Sequence, residues 1–153
     1  MSPDKNKIEL HIHYKSIREI YAHETCNIQT KNPITSNSFG LVFESKANEA
    51  NLELDCGTFY YWNNFPCGGK LTLYGHTKEL KLWNYALTTV DAYNLFTSFA
   101  IVENSSKGDC IINVAEELNY AIKGEGNIVL FGNPGKINET ETGTFSTGKL
   151  IIR

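Results

Sequence analysis

The sequence lacks the features that mark several common functional classes. It contains no apolar run of about 18 residues, so we expect no segment that spans a membrane. Its 14 lysines and arginines never form a dense cluster, and the formal net charge of its 153 residues is −3. Because a nucleic-acid surface needs concentrated positive charge, we expect no nucleic-acid partner.

Close pairs of cysteines are also missing. The four cysteines are far apart and form no C-x-x-C motif: they are Cys26, Cys56, Cys67 and Cys110. A structural zinc site needs closely spaced ligands, so the sequence predicts none. The even number permits two disulfides, but free thiols are the favoured interpretation, because a core of stacked strands accepts cysteine as a small apolar residue.

The first residues lack the apolar stretch of an intact signal peptide. Residues 1–7 are therefore expected to be a disordered or trimmed N-terminus, either a natural cytosolic start or a chain that has lost its leader. Residues 8–153 are long enough to form one domain with a substantial core. An apolar content of 41% with 20% charged residues supports folding over disorder.

Helical periodicity is nearly absent, and only residues 91–99 have helix-like apolar spacing. Short runs of alternating apolar residues recur instead, each bounded by Gly, Asn, Asp or Ser, as is typical of strands and turns. These runs are residues 8–12, 41–43, 52–54, 71–73, 80–82, 128–130 and 150–152. The pattern predicts a β-rich chain.

The strand-like segments repeat at a regular interval. The copies at residues 40–45, 58–63, 79–84, 99–104 and 119–124 start 18, 21, 20 and 20 residues apart, a period typical of solenoids. Aligning them gives two apolar columns, namely Leu41, Phe59, Leu80, Ala100, Tyr120 and Phe43, Tyr61, Leu82, Val102, Ile122. We therefore predict an all-β fold, a right-handed single-stranded parallel β-helix of about six to seven short rungs.

The residue that closes each repeated segment is small or polar. This column consists of Ser45, Asn63, Asn84, Asn104 and Gly124. Asn and Gly tolerate the left-handed backbone of a tight corner, and stacked Asn side chains can form hydrogen bonds along the coil. The alternative is a set of ordinary turn asparagines without such a ladder.

Four aromatic residues form the candidate binding surface. The alignment places Trp62 and Trp83 on neighbouring rungs with their side chains outward, where they would offer a platform to sugar rings or a partner protein. Tyr60, in the adjacent outward column, and Tyr85, at the following corner, would widen it. The alternative is that a terminal segment or a loop such as residues 65–66 covers the rings as a satellite core.

The sequence predicts no catalytic residues, metal or cofactor. Hydrolysis of a glycosidic bond needs two carboxyl groups across that bond, whereas Glu44 and Glu103 are three rungs apart, roughly 14 Å at the usual strand spacing. His11 and His13 share one face of a strand, but a metal site needs at least a third ligand. Surface histidines are the favoured interpretation.

Residues 123–128 read Lys-Gly-Glu-Gly-Asn-Ile, and residues 129–134 end in Gly-Asn-Pro. These turns resemble those of the head GIN domain proteins, autotransporter-type adhesins common in Bacteroidetes, which repeat a Ser-Gly-x-Gly-[Asp/Asn]-[Val/Ile] turn and often finish with Gly-Asn-Pro. Residues 145–150 lie where the last family turn would be, and residues 67–71 and 107–111 resemble degraded copies. The resemblance covers most of the chain, from about residue 8 to residue 153.

Some turns depart from the family pattern, since residues 23–26 and 85–88 have lost the glycines. The resemblance implies a β-helix of the cell envelope or an extracellular location, with adhesion or scaffolding and no established catalysis. The first functional hypothesis is a non-enzymatic surface adhesin that binds carbohydrate or a protein partner through an exposed ladder face. The alternatives are a polysaccharide-degrading β-helix enzyme and a ligand-free scaffold. Open solenoid edges also invite pairing into a homodimer.

Overall fold

A computed structural model describes residues 7–64 and 67–153. These residues contain no helix, and strands make up 68% of them. No helix in this part is long and apolar enough to cross a membrane. The described strands are β1 (Glu19–Ala22), β2 (Asn27–Gln29), β3 (Ile34–Phe43), β4 (Asn48–Asn63), β5 (Gly68–Ser106), β6 (Cys110–Ile122), β7 (Ile128–Phe131), β8 (Lys136–Thr142) and β9 (Leu150–Ile152).

The strands form a parallel β-solenoid of about seven turns, which confirms the predicted fold class. One sheet runs in the order β1-β3-β4-β5-β6-β7-β9, while β2 pairs with β4 and β8 pairs with β6. Every strand pair is parallel. Parallel neighbours cannot be joined by a tight hairpin, so the chain completes a turn before each pairing.

The strand predicted at residues 8–12 does not form. Its apolar side chains are exposed instead, with Ile8 at 92% and Leu10 at 76% of their full accessible surface. An alternating segment forms a strand only where another strand pairs with it. The first described strand is β1, and no described strand pairs with residues 8–12. Of the predicted N-terminus at residues 1–7, all but Lys7 lies outside the described residues.

The core is the stack of side chains that point into the solenoid. Burial alternates along β4 and β5, as the period of two in a strand requires. Its largest fully buried members are Tyr61, Phe39, Phe43, Phe59, Leu41, Leu52, Leu54, Leu71, Leu73, Leu80, Leu82 and Leu95. Each turn therefore buries its apolar face against the turns above and below it.

Two steps of the predicted alignment are wrong by two residues. Leu41 pairs with Tyr61 rather than Phe59, and Ala100 pairs with Leu118 rather than Tyr120. A shift of two keeps every side chain on the same side of the strand. The prediction of which residues point inward at these positions was therefore correct although the partners were not.

The asparagine column exists in its central part. Asn63, Asn84 and Asn104 are fully buried, and Asn84 Nδ2 lies 3.2 Å from the Asn104 Oδ1 that accepts its hydrogen bond. Ser45 and Gly124 do not belong to it, because Asn63 pairs with Phe43 and Asn104 pairs with Ile122.

The asparagines do not supply left-handed corners, as the sequence suggested. Among the described non-glycine residues only Ala86 has a positive φ, at 60°. The asparagines instead form hydrogen bonds with backbone groups of the following corners. Asn104 Nδ2 donates to the carbonyl oxygens of Gly108 and Asn127 at 3.0 and 3.2 Å, and the Asn127 carbonyl also accepts from the Cys110 N–H.

A second polar column was not predicted. Ser36, Thr77 and Thr97 lie at one corner of the solenoid, with Cys56 between Ser36 and Thr77 in the register. Each hydroxyl is within hydrogen-bond distance of the carbonyl two residues ahead. Each hydroxyl also approaches a carbonyl of the preceding turn, at 3.3 to 3.4 Å. Short hydroxyl side chains commonly satisfy turn carbonyls in this way.

All four cysteines are free, which agrees with the interpretation of free thiols favoured from the sequence, and only Cys26 is exposed. Burial raises the pKa of the Cys110 thiol to about 12, and it also raises the pKa of Cys56 and Cys67. These thiols act as core residues.

We predict that Gly75→Ala destabilises the solenoid by about 3 kcal/mol. Gly75 has a φ of +102°, and a Cβ there would lie 2.2 Å from the backbone oxygen of Leu54. The free energy of unfolding from urea denaturation measures the effect. The matched control is Gly135→Ala, whose Cβ would meet its nearest atom at 4.0 Å and should change stability little. Equal losses in both variants would contradict this account.

We also predict that stability falls as the pH rises from about 9 to 12. An unfolded thiol ionises near pH ~8.5, whereas the folded Cys110 thiol stays protonated to about pH 12. Unfolding therefore releases protons in this interval, and a higher pH favours it. Urea denaturation at about pH 8 and about pH 10.5 should show this loss of stability, and Cys110→Ala should reduce it.

A disulfide reagent should label only Cys26 in the folded chain, because the other three thiols are buried.

Candidate functional site

Trp62 and Trp83 lie side by side on neighbouring turns. The two residues are paired in the register of β4 and β5. Their strand neighbours Tyr61 and Leu82 are fully buried, so the tryptophan side chains point outward. Both are only partly buried. The covering loop considered at residues 65–66 lies outside the described residues.

A shallow pocket opens over the two tryptophans. Its volume is about 500 Å³, and we call it the aromatic pocket; it is lined by Trp62, Asn63, Asn64, Trp83 and Tyr85. Three of the four residues singled out in the sequence therefore meet in one place.

The aromatic row continues below Trp62 through a residue that the sequence analysis missed. Tyr21, two turns below, packs edge-on against Trp62 with ring centroids 6.3 Å apart. The residue between them in the column, Val42, is fully buried although it points outward. Tyr21 is half-exposed and stacks on His23, whose Nδ1 pairs with Glu44. Counting two periods back from Trp62 would have found it.

The backbone of Tyr85 is held by the side chain of Asn63. The Tyr85 N–H donates to Asn63 Oδ1 at 2.7 Å, and Asn63 Nδ2 donates to the Tyr85 carbonyl at 3.1 Å. The next residue is Ala86, whose positive φ turns the chain away. An unfavourable backbone conformation of this kind persists only where its surroundings hold it, so Tyr85 stands at a rigid corner.

A charged cluster adjoins the Tyr85 side of the pocket, and we call it the Lys123 cluster. Lys123 Nζ lies 3.1 Å from Glu103 Oε2 and 2.9 Å from Glu141 Oε2, and Tyr85 OH donates to Glu103 Oε1 at 3.1 Å. The bonds to Glu141 and then Glu103 raise the pKa of Lys123. Burial, followed by the bond to Glu103, raises the pKa of Tyr85. The cluster ties the Tyr85 ring to the turns above it.

This convergence of two carboxylates was not predicted. Glu44 and Glu103, which lie on different turns, were the pair considered from the sequence, and Glu103 was aligned with Lys123. Glu103 actually pairs with Ala121, and the long Lys123 side chain reaches back to it. Lys123 lies between Glu103 and Glu141, where the cleaved bond of a sugar chain would have to sit in a paired-carboxylate mechanism.

Tyr60 lies outside the aromatic pocket. Its ring lies across Gly40, where an added Cβ would be 2.1 Å from Tyr60 Cζ. Its hydroxyl donates to Glu19 Oε2 at 2.6 Å. That hydrogen bond, followed by burial, raises the pKa of Tyr60 to about 12. Tyr60 thus fastens three successive turns together.

The histidines form no cluster. His11 Nε2 lies 3.0 Å from a Glu9 carboxylate oxygen, with both side chains at least half exposed, and His13 is exposed. Within residues 7–64 and 67–153, no group of three or more His, Cys, Asp and Glu side chains is arranged to hold a metal ion.

We predict that Tyr60→Phe lowers stability by about 1 kcal/mol and leaves the aromatic pocket unchanged. The variant removes one side-chain hydrogen bond and keeps the ring over Gly40. Urea denaturation measures the stability. Tryptophan emission, which comes from Trp62 and Trp83 alone, should keep its wavelength. A shifted emission would show that Tyr60 belongs to the pocket after all.

Comparisons with known proteins support the same architecture. The family model described as "Putative auto-transporter adhesin, head GIN domain" matches residues 1–134. The crystal structure of a putative adhesin from Bacteroides fragilis is similar to this chain with a TM-score of 0.70 and 18% sequence identity. The match covers 83% of this chain and 56% of the Bacteroides chain, so this chain spans a little over half of that protein. No curated protein matches the sequence. The sequence resemblance is confirmed, and the chain belongs to this head GIN domain family.

Proposed function

We propose that this chain is a non-enzymatic cell-surface adhesin that binds carbohydrate in the aromatic pocket. The observation that carries the proposal is the pairing of two outward tryptophans, Trp62 and Trp83, over a pocket of about 500 Å³. Membership of an adhesin family supports both the adhesive role and a location at the surface or outside the cell. Pairing of two copies through the solenoid edges remains a prediction.

The composition of the pocket suits a sugar ring. One face of a pyranose carries mostly C–H groups, which pack well on an aromatic ring, while its edge carries hydroxyl groups. Trp62 and Trp83 would take the apolar face. Around them lie groups that can exchange hydrogen bonds with hydroxyls, including the amide of Asn64 and the hydroxyl of Tyr85. A few polar groups around an apolar floor are typical of specific small-ligand sites.

A protein partner fits the pocket less well. A stable protein interface usually buries about 800 Å² on each side, with a continuous apolar centre. Here the aromatic row is narrow, and polar contacts adjoin it at both ends: His23 with Glu44 beside Tyr21, and Lys123 with Glu103 and Glu141 beside Tyr85. A narrow apolar strip between polar clusters resembles a site for a chain of sugar rings more than the centre of a protein interface.

We favour binding over hydrolysis because of the Lys123 cluster. A hydrolase needs its two carboxyl groups free to flank the scissile bond, one of them as a proton donor. The carboxylates that come together here share one ammonium group instead. The pocket itself argues against a scaffold without any ligand, because two partly exposed tryptophans are unusual on a surface that binds nothing.

We predict that Trp62→Ala and Trp83→Ala each weaken oligosaccharide binding by about 30-fold, the equivalent of ~2 kcal/mol. Each variant removes one ring from the pocket floor and leaves the buried columns intact. A set of soluble oligosaccharides would be screened by glycan array and the positives measured by calorimetry. The control is Phe145→Ala, which removes an aromatic side chain that is 92% exposed and does not line the pocket.

Three results would contradict the proposal. The first is that the tryptophan variants bind every positive oligosaccharide as tightly as the parent chain does. A binding protein whose affinity depends on the two tryptophans, with no oligosaccharide bound, would assign the surface to a protein partner. Release of reducing ends from a bound glycan, lost in Glu103→Gln, would support the polysaccharide-degrading alternative.

A further inference from the structure

The side chains around the aromatic pocket carry an uneven distribution of charge. Glu44 lies on one side and Glu103 on the other, with 28% and 22% of their side chains exposed. Three lysines of this face are engaged by carboxylates. Lys81 lies 3.2 Å from Glu79, Lys136 lies 3.1 Å from Glu117, and Lys123 is held by the two carboxylates of its cluster.

This distribution matters for ligands that carry their own charge. The Lys123 cluster contains two carboxylates and one ammonium, so its formal charge is negative. The carboxylate of an acidic sugar in the pocket would lie near Glu103. It would find no free ammonium group in the cluster, because Lys123 already pairs with Glu103 and Glu141. Like charges repel more strongly in a partly dehydrated site than in water, and a buried charge without a partner is costly.

Glu103 also has a positioning role. Tyr85 forms one wall of the pocket, and its hydroxyl is held by Glu103 while its backbone is held by Asn63. Glu103 in turn is held by Lys123 and by Ser105 Oγ at 3.4 Å. A wall fixed before the ligand arrives loses little conformational entropy on binding. The same side chain therefore holds the wall and supplies the negative charge.

We infer that the aromatic pocket selects uncharged oligosaccharides against acidic ones, and that Glu103 is the residue that sets this selectivity while positioning Tyr85. The inference rests on the proposed carbohydrate-binding function and names the class of carbohydrate. Neutral hexose chains lose nothing to the surrounding carboxylates, which can accept hydrogen bonds from their hydroxyls. Uronic acid chains meet the net negative charge of the Lys123 cluster beside Tyr85.

The first test compares oligosaccharides of equal length and different charge on the intact chain. The probes are cello-oligosaccharides, which are neutral, and oligogalacturonates, which carry one carboxylate per sugar. We expect the acidic probe to bind at least about tenfold more weakly at low salt. The difference should shrink as salt rises to about 0.5 M, because exposed charges are screened. Equal or tighter binding of oligogalacturonate would overturn the inference.

Three variants separate the charge of Glu103 from its contact with Tyr85. Glu103→Gln removes the charge and keeps an oxygen that can accept the Tyr85 hydrogen bond, so the ratio of neutral to acidic affinity should shrink. Tyr85→Phe keeps the charge and loses the anchor, so neutral binding should weaken while the discrimination remains. Glu117→Gln is the charge-matched control, since Glu117 holds Lys136 and does not contact Tyr85 or line the pocket.

The outcomes distinguish a failure of this inference from a failure of the proposed function. If neutral and acidic probes both bind with equal affinity and both depend on Trp62, the pocket binds carbohydrate but does not select by charge. If Glu103→Gln and Glu117→Gln change the discrimination equally, the net charge of the face is responsible rather than Glu103. If neither probe binds and the array finds no other glycan, the proposed function fails, and this inference fails with it.

Discussion

The structure depends on one constraint, the parallel pairing of each turn with the next. A turn of this solenoid has no apolar partner except the turns above and below, so its inward side chains must lie directly on theirs. Parallel strands stack about 4.8 Å apart, and equivalent residues therefore fall into columns. The buried columns of Leu, Phe and Ala, the asparagines at 63, 84 and 104, and the hydroxyls at 36, 77 and 97 all follow from that single requirement.

The same stacking builds the candidate site on the outside. Because the register that buries Tyr61 on Leu82 also fixes the residues that follow them, Trp62 must lie beside Trp83. Asn63 closes the strand after Trp62, and its buried amide holds the backbone of Tyr85 at the next corner. The pocket is thus made from residues whose positions are set by the core. Change in the outward columns can alter what the pocket binds without disturbing the fold, provided that the register is kept.

The period in the sequence was enough to predict the solenoid, because a repeat of about 20 residues with two apolar columns is typical of repeat folds built from stacked strands. It was enough to place Trp62 beside Trp83 for the same reason. It could not fix every partner: a shift of two residues leaves the inward and outward sides unchanged, so Leu41 was aligned with Phe59 although it pairs with Tyr61. Alternation also predicted a strand at residues 8–12, where the described structure has no neighbouring strand to pair with it.

The missed parts of the site have a common physical cause. The contacts of Lys123 with Glu103 and Glu141 depend on how far a long side chain reaches across turns, which an alignment of columns does not describe. The positive φ of Ala86 has no signature in its residue type. Tyr60 was placed with the tryptophans because it shares their outward side. The hydrogen bond from its hydroxyl to Glu19 is possible because Gly40, one turn below, has no side chain.

The most direct test of the central claim uses the two tryptophans themselves, which are the only ones in the chain. Their fluorescence would be measured with acrylamide as a neutral quencher, first alone and then with a saturating concentration of an oligosaccharide that calorimetry shows to bind. If Trp62 and Trp83 form the binding floor, the free protein is quenched and the bound sugar protects it. Quenching that stays unchanged while the sugar is bound would place the binding site elsewhere and contradict the account.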